Sequence, residues 1–124
     1  MIIRELGEVT TVEWGNGLSR RFLLESDGMG LTITDTTVRA GTMARLEYRR
    51  HLEVCYCIEG EGSVVDLAGN SYPVRPGVMY ALDKHDPHCL VAAPHTDMRL
   101  VCVFTPALKG DEQHSIDPEC FSQY

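Results

Sequence analysis

The chain is short of basic charge, of disulfide spacing and of long apolar runs, and each shortage removes a class of function. Its 11 Lys and Arg stand against 18 Asp and Glu, a formal net charge of -7. That balance argues against nucleic acid or an anionic membrane surface as partner. No apolar stretch follows Met1-Ile2-Ile3-Arg4-Glu5, and no run approaches the ~18 apolar residues of a membrane span. The five cysteines are odd in number and form no C-x-x-C pair, so a disulfide framework is not expected and reducing cytoplasm is the natural compartment. Helical periodicity is weak throughout, and only Arg4 to Val12 offers one or two N-terminal turns.

What the chain has instead is punctuation. Turn signals recur at Gly15-Asn16-Gly17, Asp27-Gly28-Met29-Gly30, Ala40-Gly41, Gly60-Glu61-Gly62, Gly69-Asn70, Pro76-Gly77 and Asp86-Pro87. Between them lie short β-rich runs: residues 21–25, 31–38, 43–48, 54–58, 63–66, 78–82, 89–92 and 98–104. Short strands at this spacing predict an all-β sandwich or barrel. The tail from Lys109 onward, with Gly110 and Pro118, reads as loop or short helix. At 124 residues, with no repeat or linker, the chain is expected to form a single domain over 1–124 with a substantial core.

Two segments carry chemistry. Glu53, then six residues, then Gly60 matches the first half-motif of the cupin superfamily, whose jelly-roll barrels hold a metal. Pro76-Gly77, Tyr80 and Pro87-His88 match the second half. The two upstream histidines usual in cupins are replaced by Leu46 and Tyr48. Alternate residues of a strand share a face, so single residues on neighbouring strands can converge on one ion in a barrel lumen. Carboxylate, phenolate and imidazole suit iron or manganese, and three protein ligands leave open positions for substrate. Taken singly, Glu53 reads as an edge carboxylate, Tyr80 as a core aromatic and His88 as a turn histidine. Together they read as a metal site.

Within that superfamily the chain resembles ectoine synthases. The resemblance rests on Tyr48-Arg49-Arg50-His51-Leu52-Glu53, on Tyr56-Cys57-Ile58-Glu59-Gly60-Glu61-Gly62, and on the long run Met79 to His88. Ser19-Arg20-Arg21, Asp27-Gly28-Met29-Gly30, Asp97 to Phe104 and Gly110 to His114 extend it over roughly residues 19–114. It implies an all-β cupin jelly-roll barrel with short helical or loop segments at both ends. It implies a cytoplasmic homodimer that uses iron(II) to close N4-acetyl-2,4-diaminobutyrate into ectoine with loss of water. The implied metal ligands are Glu53, Tyr80 and His88. The implied substrate contacts are Ser19, Arg21, Thr34, Thr36, Tyr48, Cys102, Phe104, Glu112 and His114, with Tyr48, Glu112 and His114 as the groups that move protons. Arg21 would pair with the substrate carboxylate, and His85 would orient a loop.

Two positions depart from the family pattern. A tryptophan usually precedes the x-Ser-Arg-Arg run, and Gly17 stands there, the only tryptophan being Trp14. Thr34 replaces a residue that is often Asn or His. Both changes leave open a related cupin acting on another small amide or amino acid, or a barrel that binds a solute without turning it over.

Overall fold

Alternation along each strand sets the architecture. The structure is a computed structural model that describes residues 1–115, 117 and 119–124. Pro118 of the expected tail loop therefore lies outside the described residues. The strands are β1 (Thr10–Glu13), β2 (Gly17–Arg21), β3 (Thr32–Val38), β4 (Met43–Glu47), β5 (Leu52–Glu59), β6 (Gly62–Val65), β7 (Ser71–Val74), β8 (Met79–Leu82), β9 (His88–Ala92), β10 (Met98–Thr105) and β11 (Ser122–Gln123). One sheet runs β1-β2-β3-β10-β5-β8 and the other β11-β4-β9-β6-β7. The two sheets share one core and do not close on each other, giving the all-β cupin jelly roll in open form. All pairings are antiparallel except that of β11 with β4.

The inner faces follow a period of two. On β10 the buried side chains are Met98, Leu100, Cys102 and Phe104, and on β5 they are Glu53, Cys55 and Cys57. Register then sets neighbours: Phe104 lies opposite Glu53, Cys102 opposite Cys55 and Leu100 opposite Cys57. Leu46, Leu82 and Leu90 join the same core. Each fully buried Leu or Phe is worth about 1.5–3 kcal/mol of transfer free energy, so these inward rows hold the sheets together. The turn at Gly60 needs its glycine: φ is +74°, and a Cβ there would sit 2.0 Å from the carbonyl oxygen of Asp97.

Several elements differ from the sequence expectation. The first expected strand, 21–25, lies instead at Gly17–Arg21, because Leu24 to Asp27 turn into a 3-10 segment, Glu25–Asp27. The N-terminal turn is one 3-10 segment, Leu6–Glu8, followed by β1. Strand β7 lies outside the expected strands because it contains Pro73, which is tolerated there because β7 is a sheet edge. The tail is loop plus the short β11. Among the described residues no helix is long and apolar enough to cross a membrane.

Candidate active site

The three expected metal ligands come from both sheets and point inward. Glu53 is buried on β5, Tyr80 lies across from Cys55 on β8, and His88 opens β9 across from Leu46 of β4. The Nδ1–H of His88 donates to the carbonyl of Asp86 at 2.9 Å, which leaves its Nε2 as a lone-pair donor. That Nε2 is buried and has no hydrogen-bond partner, the state a metal-ligating imidazole needs. Burial lowers the pKa of His88 and keeps it neutral. Burial likewise pushes the Glu53 carboxyl up to about 8, a cost that a bound cation would reverse. The Tyr80 hydroxyl is pushed up by burial and then by the neighbouring Cys55 and Glu53. An unpartnered imidazole, a buried carboxyl and a phenol make a donor set that fits a divalent iron or manganese ion.

Beside them lies a narrow pocket of about 30 Å³ whose lining includes Glu53 and Tyr80, room for roughly two waters as it stands. Of the expected substrate contacts, Ser19, Thr36, Tyr48, Cys102, Phe104 and His114 line it. Strand geometry explains this: Ser19 pairs with Thr36 across β2–β3, and Cys102 pairs with Thr34 across β3–β10. Tyr48 follows β4, packing edge-on against Phe104 at 5.1 Å between ring centres.

Tyr48 and His114 form a buried pair. The Tyr48 hydroxyl lies 2.9 Å from His114 Nε2, and His114 Nδ1 lies 2.8 Å from the hydroxyl of Ser122. The Ser122 oxygen also accepts the backbone N–H of Ser115 at 2.9 Å. Burial, then the charge of Arg21, holds the His114 pKa down to about 3, so its ring is neutral. Burial and then the Glu53 charge push the Tyr48 hydroxyl well above its ordinary value. Phenol and imidazole are therefore both uncharged and joined by one hydrogen bond.

Arg21, Thr34 and Glu112 sit one layer back from the pocket lining. The fully buried Arg21 guanidinium donates to Ser19 Oγ at 3.3 Å, to the Gly110 carbonyl at 2.9 Å and to the Glu112 carbonyl. Its Nη1 is 3.6 Å from the Glu112 carboxylate. That carboxylate accepts the N–H groups of Lys109 and Gly110, each at 2.8 Å. Partial burial alone would raise the Glu112 pKa, but these N–H groups and Arg21 hold it below the ordinary value. Thr34 Oγ1 lies 2.9 Å from Thr36 Oγ1 and thereby steadies a pocket residue. His85 has φ +56°, and its Nδ1–H is shared by the carbonyls of Tyr48 at 2.8 Å and His51 at 3.0 Å. It ties the β8–β9 loop to the turn that presents Tyr48.

Two aromatic residues of the pocket lie outside the expected set. Tyr124 stacks on His114 at 4.3 Å between ring centres and meets Tyr48 edge-on at 5.1 Å. Nothing in a polar tail announces that. Trp14 lines the pocket edge-on to His114 at 5.9 Å, and its buried Nε1 has no partner. In the sequence Trp14 stands apart from the family's tryptophan position, Gly17, and only a shifted loop lets it serve there.

Comparison with known proteins agrees with the geometry. A family model described as ectoine synthase matches residues 1–120. The L-ectoine synthase of Desulfatibacillum aliphaticivorans is 45% identical over 124 residues, covering 94% of this chain and 94% of that protein. A crystal structure of ectoine synthase from P. lautus superposes with a TM-score of 0.84 at 45% identity, covering 89% of this chain and 81% of that one. A more distant likeness is a sugar phosphate isomerase of the cupin superfamily from Silicibacter pomeroyi. Its TM-score is 0.65 at 18% identity, covering 83% of this chain and 74% of that one, and it bears on the fold alone.

Proposed function

The chain belongs to the ectoine synthase family, and we propose that it closes N4-acetyl-2,4-diaminobutyrate into ectoine at a metal held by Glu53, Tyr80 and His88. It is a hydro-lyase, and iron(II) is the ion this donor set favours. The observation that carries the reading is the buried, unpartnered His88 Nε2 beside a pocket whose lining holds Glu53, Tyr80 and the Tyr48–His114 pair.

The free amine of the substrate attacks its own acetamide carbon, forming a C–N bond and a six-membered ring. The former carbonyl oxygen then departs as water, leaving a C=N bond. When bound, the metal supplies Lewis acidity for an amide carbonyl that is otherwise a poor electrophile. The protein does the rest. The walls from Trp14 and Phe104 hold the chain folded so that amine and carbonyl meet, a proximity effect worth several kcal/mol. His114 Nε2 and the Tyr48 hydroxyl take the two amine protons in turn and deliver both to the leaving oxygen. Ser122 fixes the His114 ring from behind. Arg21 and Glu112 act as positioning residues: Arg21 holds Ser19 and the 110–112 loop, and Glu112 holds Arg21.

Gly17 and Thr34 are the positions that favour the alternative of another small amide. With Trp14 filling the space over Gly17 and Thr34 bonded to Thr36, the pocket keeps both a large ring and a polar pair. We further take the enzyme to be a cytoplasmic homodimer with neither nucleic acid nor membrane as partner. Five free thiols support the compartment. The exposed row Val54, Tyr56 and Ile58 on the outer face of β5 supports self-association.

The test is anaerobic incubation of iron(II)-loaded protein with N4-acetyl-2,4-diaminobutyrate, following ectoine by chromatography. Wild type should form ectoine, whereas Glu53→Ala and His88→Ala should lose both iron and product. A folded, iron-replete wild type that forms none would sink the reading.

A further inference from the structure

We propose that Glu53, Cys55 and Cys102 form a second, thiophilic metal site that takes a soft divalent ion of the zinc and cadmium class in competition with iron. The site rests on the proposed iron trio only through Glu53, which the two sets share.

Register brings the donors together. Glu53 and Cys55 are two apart on β5 and face the core, and Cys102 lies directly across from Cys55 on β10. One ligand atom from each of the three lies within 4.8 Å of the others, and all three residues are buried. Tetrahedral coordination with ~2.3 Å metal–sulfur bonds needs sulfurs roughly 3.8 Å apart, so side-chain shifts of about 1 Å close the set. A water completes four.

Hardness separates the two sites. The iron trio of carboxylate, phenol and imidazole contains no sulfur, whereas this set contains two thiols that zinc and cadmium prefer. Binding forms two metal–thiolate bonds and releases two protons to solvent, with no change of oxidation state. Because Glu53 belongs to both sets, a soft ion in this site removes a ligand from iron. His88 belongs to the iron trio alone, which makes it the discriminating residue.

The experiment is titration of metal-free protein with cadmium ions, read by the thiolate-to-cadmium charge-transfer band in the ultraviolet. One ion should bind per chain. Cys55→Ser and Cys102→Ser should each weaken binding by roughly tenfold or more. His88→Ala and Cys120→Ser, the latter removing the exposed thiol, should stay within about twofold of wild type. Thermal melts check folding, and either cysteine variant suffices if the other does not fold. As a second readout, zinc ions added to iron-loaded wild type should release iron, and Cys55→Ser should retain it. Cadmium affinity unchanged in a folded Cys55→Ser or Cys102→Ser, or a band abolished by Cys120→Ser alone, overturns the proposal. Absence of ectoine formation would count against the reaction and leave the cadmium result standing.

Discussion

Trp14 lies against Gly17, and the two residues exclude each other's alternatives. A Cβ on Gly17 would sit 1.8 Å from the Thr37 carbonyl oxygen and 3.3 Å from the Trp14 indole nitrogen. Position 17 therefore accepts no side chain while β2 pairs with β3, and the indole from the preceding turn occupies the pocket wall instead. Gly17→Ala is expected to destabilise by about 2–4 kcal/mol, since backbone rather than a flexible side chain must give way. Trp14→Phe should keep the melting temperature near wild type, whereas Trp14→Ala should raise KM. A Trp14→Ala enzyme with unaltered KM would remove the indole from the substrate's surroundings.

The Tyr48–His114 pair predicts a rate effect without a structural one. Tyr48→Phe keeps the ring against Phe104 and removes only the hydroxyl. We expect kcat to fall by roughly 10²–10⁴, the usual worth of general acid–base catalysis, with iron content unchanged. Metal analysis beside steady-state kinetics checks this. A fall of less than about threefold in kcat would take Tyr48 out of proton transfer.

Burial of neutral His114 predicts an acid-side loss of stability. Its folded pKa of about 3 lies below the ordinary 6.5, so the unfolded chain binds the extra proton between those values. Stability from this group is present above pH 6.5 and is lost as pH falls toward 3, by as much as ~4 kcal/mol. His114→Gln should flatten that part of the curve. Urea melts at a series of pH values give the slope, and equal slopes in both proteins would contradict the assignment.

Ser122 secures the tail over the site through one hydroxyl that serves both His114 Nδ1 and the Ser115 N–H. Ser122→Ala leaves the buried His114 Nδ1 without its partner, at about 1–3 kcal/mol, and takes the Ser115 N–H's acceptor as well. It also frees the His114 ring, so kcat should fall together with the melting temperature. Restoration of both by Ser122→Thr would show that the hydroxyl, rather than packing, is responsible.

Glu112 tests positioning against direct chemistry. Its carboxylate faces the Lys109 and Gly110 N–H groups and Arg21. Glu112→Gln retains an acceptor oxygen and should shift KM more than kcat, with the pH–rate profile unmoved. A lost limb in that profile would make Glu112 an acid or base in its own right.

Much of this was legible because it depends on short-range pattern. Period-two burial on β5 and β10, and the Gly and Pro breaks between strands, are local properties, and they place Glu53, Cys55, Cys102 and Phe104 on inner faces whatever else the chain does. The motif spacing around Glu53, Tyr80 and His88 likewise marks them as a set. What the sequence could not supply depends on distant packing. The shift of the first strand to Gly17–Arg21, the edge strand around Pro73 and the folding of Tyr124 onto His114 are decided by partners far along the chain. The same holds for Arg21 and Glu112: residue type suggests contact with an anion or a proton, and only the tertiary structure turns both toward the 109–112 loop. Sequence by itself determined most of the strands, the donor types and the family. The tertiary structure decided which polar groups lack a partner, above all His88 Nε2 and the Trp14 indole, because satisfaction of a buried group is a property of its surroundings and not of its residue.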